Sequence, residues 1–150
     1  MKRLLNKQTT DLSSAEWAAV WLRYHREQRD EDFWAVNAVF LLPQDDPERT
    51  WSLILALVEQ ASFEALGHIG AGPLEHLVEA HAASFIDRIE RQAATDLKFR
   101  EALASIWLNR WHHDSGIISR LVAASGDQIE PFELDHDQAE RDELQGKDGA

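Results

Sequence analysis

The chain has 150 residues, 44% of them hydrophobic, no cysteine and a formal net charge of −12. That length and apolar content suit one buried core and exclude wholesale disorder, while the missing cysteines exclude thiol nucleophiles, thiolate metal sites and disulfides and suit a reducing, cytoplasmic setting. Nine acidic and two basic residues lie from Gly126 onward, against eighteen and thirteen before it, so the remainder is only mildly acidic and lacks the basic face that nucleic-acid binding needs.

Residues 1–12 read as an N-terminal extension. Its basic start, MKRLLNKQTTDL, is followed by no apolar stretch, so no signal peptide is expected. The longest apolar run, LILALV from Leu53 to Val58, is too short for a bilayer span. Strand signals are nearly absent, and helix signals recur through residues 13–125, the expected single helical domain. SSAEWAAVWLRYHREQ opens with Ser13 as N-cap and Glu16 three residues on, a capping box. Trp17, Val20, Trp21 and Tyr24 then share one face. Asp30 is the expected cap of a second helix, with Phe33, Val36, Asn37 and Phe40 as its row and a stop near Pro43. In DDPERTWSLILALVEQ, Asp46 caps, Pro47 takes the first helical position and Glu48 complements the dipole. Trp51, Ile54, Leu55 and Val58 point inward.

A short turn around Phe63 and Leu66 breaks at Gly67. Pro73 restarts a helix through Leu74, Leu77 and Val78, with a break expected near 82–84. Phe85, Ile86, Ile89 and Ala93 form the next inward row. Asp96 caps a helix carrying Phe99, Leu103, Ile106 and Trp107. A last helix over Ser115–Ala124, capped by Asp114, presents Ile118, Leu121 and Val122. Residues 126–150 lose the period and read as a mobile acidic tail. The expected fold is all-α: about seven amphipathic helices in antiparallel hairpins, as a compact irregular bundle or a short helix-pair array.

The chemistry concentrates in GHIGAGPLEHLVEAHAASFIDRIE, Gly67–Glu90. Glu75, His76, Glu79 and His81 put carboxylates and imidazoles on one helix, where neighbours three and four apart meet. No HExxH-type spacing is present, so no metal is expected. Nor do the glycines form a phosphate-cradling loop, and close helix approach explains them better. WHHDSG yields no catalytic role, because adjacent helical histidines diverge and Asp114 reads as a cap. No cofactor is implied. Of six tryptophans, Trp17, Trp51 and Trp107 look like core, whereas Trp34 and Trp111 have charged or histidine neighbours and are candidate partner-binding residues.

Trp51, the Gly72–Glu75 helix start, His81, Phe85, Ile86, Phe99, Arg100 and Trp107 together resemble a family of small bacterial helical domains of unknown function. The resemblance runs from Ala15 to Trp111. It implies a cytoplasmic bacterial domain and no particular activity, cofactor or partner. The residues themselves favour a non-catalytic protein-binding module, an adaptor or inhibitor, with a basic protein as partner and neither nucleic acid nor membrane. The alternative is a small-ligand binder or enzyme using Glu75, His76, Glu79 and His81.

Overall fold

The first helix, α1 (Ser14–Glu27), begins where its capping signal lies: Ser13 Oγ accepts from Glu16 N at 3.1 Å. The structure, a computed structural model, describes residues 11–133. The rest of the predicted N-terminal extension and residues 134–150 of the predicted tail fall outside the described residues. Five more helices follow: α2 (Phe33–Asp45), α3 (Pro47–Gln60), α4 (Glu75–Thr95), α5 (Leu97–Leu103) and α6 (Ser115–Ala124), with a one-turn helix at Leu66–Ile69. No strand ladder forms among the described residues, so the fold is all-α, as the periodicity predicts.

The caps explain most of the boundaries. Asp46, Asp96 and Asp114 each accept backbone N–H groups from the first turn of the helix they precede, satisfying donors that have no partner within the helix. The second helix departs from expectation. Asp30 lies in a short 3-10 turn that no side chain caps, and the buried row is Ala35, Ala38, Val39 and Leu42. Phe33, Asn37 and Phe40 face outward. Two residues of phase separate the two rows, which puts them on opposite sides of the helix, and α1 selects the small one: Trp17 packs beside Ala35 and donates Nε1–H to its carbonyl at 3.0 Å.

Helix α3 packs mainly on α1 and also touches α2, α4 and α5. It therefore buries Leu53 and Leu57 as well as the predicted Trp51, Ile54 and Val58. The expected break at Gly67 does not occur. The helical turn runs through Gly67 to Ile69, and the break falls instead at Gly72 (φ −114, ψ −108), within the Gly70–Leu74 turn that leads into α4. Gly70 permits this course, because a Cβ there would sit 1.9 Å from the Ala102 carbonyl oxygen on α5. Close approach is thus what this glycine supplies.

The break expected at 82–84 is a kink at His81 (φ −143, ψ 30) inside the continuous α4. Beyond the kink, Phe85, Ile86, Ile89 and Ala93 are buried as predicted. Helix α5 ends at Leu103, and the chain then sends Ile106 and Leu108 inward and Trp107 outward, 70% exposed. Reading Trp107 as core is corrected by that early stop. Gly126, at φ +73, ends α6 in the left-handed conformation that glycine tolerates. The chain turns back there, buries Ile129 and pairs Phe132 with Leu108 and Arg110 through two backbone hydrogen bonds. Packing against the body thus extends past Gly126, where the sequence had placed the start of a mobile tail.

Candidate functional site

The kink divides α4 into two halves, and the candidate residues lie on the first. Glu75 and Glu79 are one turn apart. The Glu75 Oε1 atom accepts the Trp107 backbone N–H at 2.5 Å, so the segment after α5 is tied to the start of α4. Burial lifts the Glu75 carboxyl above its usual range; the Trp107 bond opposes this and the charge of Glu79 adds to it. Glu79 meets His112 Nδ1 at 3.1 Å through one oxygen and lies 3.7 Å from His113 Nε2 through the other. His76 is half-buried with its ring edge-on to Phe40, 4.9 Å between centroids. Burial holds its pKa below the ordinary imidazole value, with Glu79 acting in the opposite sense. Neither His76 Nδ1 nor His113 Nε2, both buried, has a hydrogen-bond partner among the described residues.

Three large rings near this cluster in space or sequence are exposed. Phe40 is 63% exposed, Trp111 63% and Trp107 70%, and Trp107 leans edge-on against Phe132 at 5.6 Å. A groove of about 260 Å³ between α2 and α4 is lined by Phe40, Pro43, Gln44, His76, Glu79 and Ala80. Large rings left in water are the informative exception in a folded chain.

Two predicted site residues do not join this face. His81 donates Nε2–H to the Pro43 carbonyl at 2.9 Å; that oxygen lies in the last turn of α2, where carbonyls lack a partner within the helix. Trp34 is half-buried and packs on Trp17 at 6.4 Å, so it belongs to the core margin. Conversely, His112, given no role from sequence, is what Glu79 binds, with His113 lying near the same carboxylate. Their pairing spans 33 residues, and the sequence marks it only by the two adjacent histidines after Trp111.

A second cleft, of about 490 Å³, opens between α1 and the segment after α3; His25, Arg26, Gln60, Ser62, Glu64 and His68 contribute its polar lining. There His25 lies between Trp21 (4.0 Å) and His68 (4.8 Å, stacked). Burial, and then the neighbouring His68, hold the His25 pKa low. Stacked imidazoles do not converge on a common point, and no group of three potential ligands among the described residues could hold a metal ion.

The architecture is therefore that of a small helical protein with one aromatic-rimmed acid–histidine face. Its sequence from residue 22 to 129 matches the model of a family of unknown function, DUF6869, and the chain belongs to that family. The match includes Ile129, the buried residue beyond the predicted start of the tail. No curated protein and no solved structure matches the chain. Among the described residues, no helix is long and apolar enough to cross a membrane.

Proposed function

We propose that the protein is a non-catalytic protein-binding module, acting as an adaptor or inhibitor through the face around Glu75, His76, Glu79 and Trp111. The observation that carries this reading is the exposure of Phe40, Trp107 and Trp111 near the half-buried Glu75 and the exposed Glu79. A tryptophan forgoes roughly 150–250 Å² of burial when left in water, and such rings are typical anchors of protein interfaces. The carboxylates favour a basic partner, which the mildly acidic body also attracts.

The alternative, a ligand or catalytic site using Glu75, His76, Glu79 and His81, is weakened because His81 is engaged by Pro43. A photo-crosslinking residue at position 107 or 111, in cells that make the protein, is expected to give one discrete adduct. The same residue at Ser52, exposed on α3, is expected to give none. An adduct of equal yield from position 52, or no adduct from 107 and 111, would refute the module reading.

A further inference from the structure

We infer that the docking face recognises an arginine side chain of its partner, whose guanidinium sits on the exposed tryptophans and binds Glu75 and Glu79. The inference rests on the binding-module reading and specifies what the module takes.

Elsewhere in the protein, arginines hold four carboxylates by hydrogen bonds. Asp32 is held by Arg23 through two bonds of 2.6 and 2.7 Å. Glu48 is held by Arg88, also through two bonds of 2.6 and 2.7 Å. Asp87 and Glu90 share Arg120. In each case a planar, forked guanidinium closes a carboxylate from another element. Arg88 adds a further contact, lying over the Phe85 ring at 4.5 Å. One arginine thus joins a carboxylate and an aromatic face.

In the first half of α4, among the described residues, no arginine holds the carboxylates. Glu75 receives only a backbone N–H, through Oε1, and its Oε2 accepts nothing among the described residues. Glu79 has only the imidazoles of His112 and His113, while Trp107 and Trp111 supply the rings. The nearby cation, Arg110, is paired with Glu133 at 4.0 Å. A guanidinium arriving here would find Glu75 tied to the backbone of Trp107, whose ring is 70% exposed, and would relieve the repulsion between two carboxylates one turn apart. An ammonium group binds as a point charge and stacks less well.

The test uses the full-length chain and the indole N–H resonances of Trp107 and Trp111. Four blocked tripeptides, glycine–X–glycine with X as arginine, citrulline, lysine or glutamate, are titrated in turn. Arginine is expected to shift both indoles saturably, with citrulline and lysine about tenfold weaker, the loss of one charge-assisted hydrogen bond. Glutamate is expected to give no shift. The double variant Glu75→Gln, Glu79→Gln keeps an acceptor for the Trp107 N–H and is expected to lose arginine binding with unchanged thermal unfolding. Equal shifts from arginine and citrulline, or from arginine and lysine, overturn arginine recognition while leaving the module reading in place. No shift from any peptide also overturns the inference; the crosslinking result then decides separately whether the module reading falls with it.

Discussion

Both halves of α4 set carboxylates above a buried apolar row, but the carboxylates are held differently. After the kink at His81, Asp87 and Glu90 are tied to Arg120 on α6, and Arg88 reaches Glu48 on α3. These are structural ties, and beneath them Phe85, Ile86 and Ile89 are buried. Before the kink, Leu77 and Val78 are equally buried, but Glu75 meets the backbone N–H of Trp107 and Glu79 meets histidines. One half is closed by its own chain; the other offers the same chemistry unfinished. Local charge therefore does not separate the two halves; what separates them among the described residues is that arginines hold the carboxylates of the second and none holds those of the first.

The contrast is tested most severely by Phe85→Ala. Phe85 packs against Trp51 at 5.8 Å under Arg88, and its loss is expected to lower unfolding free energy by about 3–5 kcal/mol. Chemical denaturation measures it, and a loss below about 1 kcal/mol would mean that the second half is not the structural one.

A smaller effect is expected from pH. His25 and His76 have pKa values held below the ordinary 6.5 by burial. The unfolded chain therefore takes up protons more readily than the folded one, so stability is full above about 6.5 and declines as pH falls from there towards the folded values. His76→Gln is expected to flatten this decline, read from unfolding midpoints between neutral and mildly acid pH. Glu48 and Glu90, lowered by their arginine partners, lose their contributions only in more acid solution. A wild-type midpoint that rises as pH drops below 6.5 would contradict the assignment.

The smallest expected effect is that of Trp111→Ala, which should change stability by no more than about 0.5 kcal/mol yet remove the crosslink seen from position 107. A loss comparable to that of Phe85→Ala would show Trp111 to be structural and dissolve the distinction between the halves.

Much of this was legible in the linear chain. Ser13, Asp46, Asp96 and Asp114 announced their helices because an N-cap acts on amides two or three residues away. The inward row after the kink of α4 followed from period alone; in α3 period gave Trp51, Ile54 and Val58, but neighbours on several sides also bury Leu53 and Leu57 and leave the expected Leu55 half-buried. Glu75, His76 and Glu79 were singled out because residues three and four apart on a helix must be neighbours.

What the sequence could not decide was settled by contacts across long separations. Helix α2 had two apolar rows, and only the fit of Trp17 against Ala35 chose between them. Trp107 had helical spacing, but α5 stopped four residues earlier, leaving the ring outside. His81 was drawn off by a carbonyl on α2, while His112 and His113 were brought to Glu79 by the turn between α5 and α6. Periodicity and capping act within a few residues, so sequence determines where helices form; which side of each meets water depends on the packing of all of them together.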